Sequence, residues 1–221
     1  RRGKYLLFHL EKDTLVIHLR MSGDLWYEAA NDAIAPHHRL LLFIDQDQRL
    51  AFNDTRKFGR VWLVDDPQSL FAHLGPEPLD GNLSVQDFYQ RLQKHRRQIK
   101  PLLLDQHFLA GVGNIYADEA SWRARLHPLT PAGSLSNAEA GRLHRGIRRV
   151  LRDGIASRGT TFSQYRNAEG EPGEYQSQLR VFQRTGEKCF RCPGTIERIV
   201  VGGRSTHFCP RCQPASRSAG S

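Results

Sequence analysis

Cys189-Phe190-Arg191-Cys192 and, sixteen residues further on, Cys209-Pro210-Arg211-Cys212 hold every cysteine of this 221-residue chain. Two Cys-x2-Cys turns at that separation have the ligand spacing of one tetrahedral Zn2+ site, each turn presenting two thiolates to the same metal. Pro193, Gly194 and Pro210 supply turn chemistry beside them. No secretory leader precedes the cysteines, so a metal is expected rather than disulfides. A closed four-sulfur site has no open coordination position, which makes the zinc expected at Cys189, Cys192, Cys209 and Cys212 a single structural ion. Its binding free energy, on the order of 10 kcal/mol in small zinc modules, organises a segment too short to fold on its own core.

Charge suggests what such a segment is for. The chain carries a formal charge of +9 and a pI near 9.8. The excess is clustered: Arg180 to Arg217 contains eight Arg/Lys against two acids, and Arg91 to Lys100 contains five against none. A cationic surface on a zinc module points first to nucleic acid, whose phosphates release counterions when Lys and Arg neutralise them. No apolar run approaches membrane-spanning length, so no membrane partner is expected and the cytosol is the expected compartment.

Outward from the cysteines the texture changes twice. Lys4 to Leu10, Leu15 to Met21, Arg39 to Asp45, Leu50 to Phe52 and Arg60 to Val64 are short apolar runs between charged or Gly/Asn/Asp turns, and they read as an antiparallel β-meander. The first run starts almost at Arg1, as if earlier strands belonged to the same sheet. After Pro67 the pattern is helical. Ser84-x-x-Asp87 forms a capping box before a helix with Val85, Phe88 and Leu92 on one face, and Ser136-x-x-Glu139 opens a long helix to about Arg158. Leu143, Ile147, Val150 and Leu151 form the apolar side of that helix. Arg142, Arg145, Arg149 and Arg152 lie opposite, as a solvated face. Between helix and cysteines, Gly159 to Tyr175 is a loop rich in Gly, Ser, Asn and Glu.

The second informative stretch is Ala110-Gly111-Val112-Gly113-Asn114-Ile115-Tyr116-Ala117-Asp118-Glu119. Its glycines allow a tight turn, and Asn114 is a good N-cap for a helix carrying Ile115, Trp122 and Leu126. The positive end of such a helix suits a phosphate, although a Gly-x-Gly-Asn cap alone is weak evidence. Ile99-Lys100-Pro101 opens an earlier helix, so two helices flank a glycine-bearing hairpin with Lys100 beside it.

The run Ile99 to Gln106 followed by Ala110 to Glu119 resembles the helix-two-turn-helix of bacterial formamidopyrimidine-DNA glycosylases of the Fpg/Nei family. The likeness extends through Arg2-Gly3-Lys4-Tyr5-Leu6-Leu7, His18-Leu19-Arg20-Met21-Ser22-Gly23, Asp54-Thr55-Arg56-Lys57-Phe58-Gly59, Leu74-Gly75-Pro76-Glu77-Pro78-Leu79 and Arg204 to Gln213. It covers nearly the whole chain in order. The fold it implies is α+β: an antiparallel β-sandwich over 1–72, a helical helix-two-turn-helix domain over 73–166, a flexible lid or linker over 167–178, a β-hairpin zinc finger over 179–213 and a disordered tail over 214–221.

The function it implies is base-excision repair. In that family duplex DNA is clamped and a damaged purine is flipped out of the stack, at a cost of a few kcal/mol that is offset by filling the vacated space. The resemblance assigns the filling to Met21, Arg56 and Phe58: a thioether and a flat ring replace a base, while a guanidinium pairs with the orphaned partner. On spacing alone Phe58 would be a strand-end core residue and Met21 a gap filler. Asn114 and Arg204 are implied phosphate contacts, Lys100 a further DNA contact, and Lys4 the lysine beside the lesion. The Gly159 to Tyr175 loop corresponds to a flexible cap over the oxidised base, in which Thr160, Thr161 and Tyr165 are given no individual roles.

Two departures accompany the likeness. Family members attack the sugar with an N-terminal proline and use an adjacent glutamate as acid/base. Neither is in this sequence, so its 221 residues are expected to bind DNA without excising bases. Val181-Phe182-Gln183-Arg184 stands where relatives commonly have Tyr and Gly before Arg. The expected function is a monomeric glycosylase and AP lyase that removes oxidised purines from double-stranded damaged DNA and cleaves the abasic site by β,δ-elimination. The alternatives are an endonuclease VIII-like enzyme for oxidised pyrimidines and a non-catalytic zinc-dependent binder of damaged DNA. Gly75 to Leu79 and the length of the lid loop favour the purine branch.

Overall fold

The structure, a computed structural model, describes residues 1–160 and 171–215. The chain divides into two compact units, Arg1–Ala72 with Gly154–Gln178, and His73–Asp153 with Leu179–Ser221.

The first unit holds six strands: β1 (Tyr5–His9), β2 (Thr14–His18), β3 (Gly23–Ala29), β4 (His38–Phe43), β5 (Gln48–Asp54) and β6 (Arg60–Val64). They form two three-stranded antiparallel sheets, ordered β1-β2-β6 and β3-β5-β4, the two layers of the expected sandwich. The meander expectation is corrected on two points. Strand β3 was not anticipated, because Asp24 and Glu28 interrupt its apolar pattern. Strand β2 pairs with β6 rather than with its successor, since the turn at Arg20–Ser22 moves the chain from one sheet to the other. Met21 therefore lies in that turn, beyond the end of β2 at His18. Val16, Ile17 and Ala51 are fully buried, and Phe52 nearly so. A short helix, α1 (Gln68–Phe71), follows β6.

Residues on either side of 161–170 are hydrogen-bonded to one another. The N–H of Glu174 donates to the Ser157 carbonyl at 2.9 Å and that of Tyr175 to the Gly159 carbonyl at 3.0 Å, and Thr160 bridges to Glu174. Thr161 and Tyr165 of the expected cap, and 216–221 of the expected tail, lie outside the described residues.

The second unit holds α2 (Val85–Gln93), α3 (Ile99–Leu104), α4 (Asn114–Ala124) and most of α5 (Asn137–Ala156), with the hairpin β7 (Glu197–Val201) and β8 (Arg204–Phe208). Both capping boxes form. Ser84 Oγ accepts the Asp87 N–H at 3.1 Å, while the Ser136 N–H donates to Glu139 Oε2 at 2.9 Å. Phe88, Leu92, Ile99, Leu102, Leu103, Leu143, Ile147 and Val150 share one core. Among the described residues no helix is long and apolar enough to cross a membrane.

One titration is built into the β unit. His18 packs edge-on against Tyr5, with ring centroids 4.6 Å apart, and its Nδ1 accepts the Arg20 N–H at 3.0 Å inside the Met21 turn. Burial, then the charges of Arg20 and Lys4, pull its pKa from 6.5 to about 4. The folded state thus prefers the neutral ring. Its contribution to stability is complete above pH 6.5, falls as the unfolded chain takes up the proton, and is lost as pH drops through about 4. Melting temperatures between pH 7 and 4 are expected to decline more steeply for this protein than for His18→Asn, whose amide oxygen accepts the same N–H without titrating.

Candidate nucleic-acid interface

The four cysteines converge. Their Sγ atoms all lie within 4.8 Å of one another, with Cys189–Cys212 at 3.8 Å, Cys192–Cys209 at 3.6 Å and Cys192–Cys212 at 3.3 Å. A tetrahedral zinc with bonds of about 2.3 Å has sulfur–sulfur edges near 3.8 Å, so the site fits one Zn2+. The surroundings supply the donors that thiolates need. Cys189 Sγ accepts the N–H of Arg191 and the Trp122 indole N–H, both at 3.4 Å, and Cys192 Sγ accepts the Gly194 N–H at 3.4 Å. Burial raises the Cys189 thiol, but these donors outweigh it and draw its pKa to about 6. Burial and the neighbouring sulfurs push Cys212 up to about 12. Four sulfurs this close ionise together only around a cation, the role a divalent metal fills here.

Two adjacent carboxylates attach this zinc segment to the helices. Glu119, fully buried in α4, accepts the backbone N–H groups of Arg180, Val181 and Phe182 at 2.9–3.0 Å. Asp118 Oδ2 accepts the His207 N–H of β8 at 2.9 Å, while its Oδ1 meets Lys100 Nζ of α3 at 2.5 Å. Lys100 Nζ also donates to the Asn114 carbonyl at 3.1 Å. Gln213 closes the far side, accepting the Cys209 N–H at 2.9 Å and donating to the Leu126 carbonyl at 2.8 Å.

These contacts place Lys100 and correct one expectation. Lys100 is completely buried and braces the hairpin from inside. Burial lowers its pKa, and Asp118 opposes that shift. Asn114 is not the N-cap: Gly113 caps α4 without a side-chain bond. Being the first helical residue frees the Asn114 amide to donate to the Ser205 carbonyl of β8 at 3.2 Å. Its Oδ1 is buried with no hydrogen-bond partner among the described residues.

Asn114, Arg198, Arg204, Ser205, His207 and Gln183 line a cleft of about 430 Å³. Gly202 and Gly203, with φ of 56° and 73°, make the two-residue turn between β7 and β8 that sets Arg204 at its mouth. Arg198 donates to Ser205 Oγ at 2.7 Å. An amide, two guanidinium groups and the positive end of α4 around one hollow make an anion site. Gln183 occupies the left-handed region with φ of 58°, a conformation that glycine takes without strain and that costs a side-chain-bearing residue about 1 kcal/mol.

The remaining sequence-derived residues belong to the β unit. Met21 is 65% and Phe58 49% exposed. Arg56 stacks over the Phe58 ring at 4.9 Å. Lys4 is exposed and lies, with Gly3, in the tight turn closed by Arg2 and Tyr5. Asp54, Asp118, Glu119 and Gln213, which organise both sets, were not singled out from the sequence.

Known proteins show the same organisation. Residues 1–61 match the formamidopyrimidine-DNA glycosylase N-terminal domain, 74–166 the formamidopyrimidine-DNA glycosylase H2TH domain, and 186–215 a zinc finger found in FPG and IleRS. The formamidopyrimidine-DNA glycosylase of Herpetosiphon aurantiacus is 50% identical over 216 residues, covering 96% of this chain and 79% of that protein. That of Heliobacterium modesticaldum is 50% identical over 221 residues, covering 96% and 80%. Among solved structures, the Lactococcus lactis Fpg in complex with DNA containing an abasic site superposes with a TM-score of 0.90 at 38% identity, covering 97% and 80% of the two chains. The Thermus thermophilus MutM (Fpg) protein gives 0.87 at 45% identity, covering 96% and 80%.

The Lys100–Asp118 pair makes a stability prediction. Lys100→Ala strands the Asp118 charge and is expected to cost about 3–5 kcal/mol, whereas Lys100→Met with Asp118→Asn, which removes both charges and keeps an oxygen to accept the His207 N–H, recovers part of the loss. Urea unfolding of the three proteins checks this.

Proposed function

The chain belongs to the formamidopyrimidine-DNA glycosylase family, and from that premise we propose roles for its residues in recognising damaged DNA. As a family member it is a base-excision-repair DNA glycosylase whose partner is DNA and whose zinc is structural. Asn114 and Arg204 hold the phosphates flanking the damaged nucleotide. Met21 and Phe58 fill the space a flipped base leaves, and Arg56 pairs with the orphaned partner base. Lys4 faces the lesion side. The substrate is an oxidised purine in duplex DNA, and the abasic product is cleaved by β,δ-elimination. The protein acts as a monomer in the cytoplasm.

The observation that carries this reading is the convergence of Asn114 and Arg204 on one cationic cleft. Phosphate binding draws its free energy from counterion release and from charge-assisted hydrogen bonds, and both require donors fixed on rigid elements. A helix terminus and a hairpin pinned by a metal meet that need. The solvent-exposed Met21 and Phe58 support the space-filling role, since burying them against bases recovers apolar area that they leave in water.

Binding to a duplex carrying a tetrahydrofuran abasic analogue, titrated with salt, tests the assignment. Arg204→Ala is expected to weaken binding about tenfold and to reduce the salt slope by about 1, and Asn114→Ala to weaken binding with little change in slope. Unchanged affinity in both variants would contradict the phosphate roles.

A further inference from the structure

The three side chains assigned to the duplex interior sit on two separate turns. Arg20–Ser22 joins β2 to β3 and carries Met21; residues 55–59 join β5 to β6 and carry Arg56 and Phe58. Each turn contains a non-glycine residue in the left-handed region, Arg20 with φ of 56° and Lys57 with φ of 58°. Such conformations persist only where neighbouring contacts hold them.

His18 holds the first turn from one side through the Arg20 N–H, and one residue reaches both turns. Asp54 ends β5 and is 1% exposed. Its Oδ1 accepts the Ser22 hydroxyl at 2.6 Å and the Arg56 N–H at 3.2 Å, and its Oδ2 accepts the Gly59 N–H at 2.7 Å. Its own main chain is also engaged: its N–H donates to the His37 carbonyl and its carbonyl accepts Arg39 Nε, both at 2.9 Å. Burial pushes the carboxyl pKa up, but Ser22 and the N–H groups of Gly59, Arg56 and Lys57 bring it below the usual carboxylate value. The two turns also close on one ring. A Cβ at Gly59 would come within 2.2 Å of Phe52 Cζ, and one at Gly23 within 2.9 Å of Phe52 Cε2.

We propose that Asp54 is a positioning residue for lesion recognition, its carboxylate clipping the Met21 turn to the Arg56–Phe58 turn so that the three side chains enter the duplex as one preformed wedge. The proposal rests on the assignment of those side chains to the duplex interior. Two independently mobile turns would each have to be ordered on the DNA, at the expense of binding. A shared buried carboxylate orders them in advance.

The test uses Asp54→Asn, Ser22→Ala and Ser22→Thr in the full chain, with duplexes carrying the tetrahydrofuran analogue opposite 2-aminopurine, and with intact duplex. Asp54→Asn is expected to lower the ratio of analogue to intact affinity about tenfold, and Ser22→Ala several-fold. Ser22→Thr, which keeps the hydroxyl, should restore the ratio. The rise in 2-aminopurine emission on binding should shrink in parallel, a signature that a general loss of fold stability does not produce at saturating protein. Amide exchange at Arg56 and Gly59 should quicken in Ser22→Ala, although Ser22 touches neither. A parent protein with no preference for the analogue overturns the wedge assignment and this proposal with it. A parent that has the preference, with variants that keep its ratio, emission and exchange rates, overturns the clip alone.

Discussion

The second unit depends on two neighbouring carboxylates, Asp118 and Glu119, buried side by side in α4. Consecutive helical residues point about 100° apart, so the pair serves two directions at once. Asp118 reaches α3 through Lys100 and β8 through His207, and Glu119 receives the three N–H groups of Arg180–Phe182. Burying such charges is costly, and the donors that offset the cost come from other elements of the fold; at Glu119 burial still outweighs the three N–H groups and raises the carboxyl pKa. Zinc folds the segment from Cys189 to Cys212. The carboxylates determine where that segment sits.

Placement is what the DNA site requires. Asn114 opens the same helix that carries the carboxylates, and Arg204 begins the same strand that His207 anchors. Fixing α4 to β8 therefore fixes the spacing of Asn114 and Arg204, the two proposed phosphate donors, and Lys100 adds a direct brace to the Asn114 carbonyl. The β unit uses the same chemistry on a smaller scale, with Asp54 gathering N–H and hydroxyl donors from two turns. A carboxylate accepts several hydrogen bonds and donates none, which suits it to hold irregular backbone that no ladder can satisfy.

What the sequence disclosed follows from how local each signal is. The zinc ligands, both capping boxes and the apolar faces of α2 and α5 involve residues a few positions apart, and all appear where expected. Strand β3 was hidden because its acidic residues break the apolar pattern. Its partner β5 begins only after the intervening β4. Asn114 read as a cap because an asparagine after glycine usually is one, yet its actual partner, Ser205, lies 91 residues away. Lys100 read as a surface cation for the same reason: its buried partner Asp118 is 18 residues distant, across a turn. Asp118 and Glu119 looked like ordinary helix acids because the donors that satisfy them come 61 to 89 residues later.

Glu119 offers the most direct test, since it touches neither the cysteines nor the cleft-lining donors Asn114 and Arg204. Glu119→Ala leaves the buried N–H groups of Val181 and Phe182, and the half-buried one of Arg180, without an acceptor, at about 1–3 kcal/mol for each buried group, while all four zinc ligands remain. With zinc content measured alongside affinity for the tetrahydrofuran duplex, the variant is predicted to keep one zinc per chain and to bind DNA at least about tenfold more weakly. Full affinity with zinc retained would show that the finger finds its place without the carboxylates, and would contradict the account.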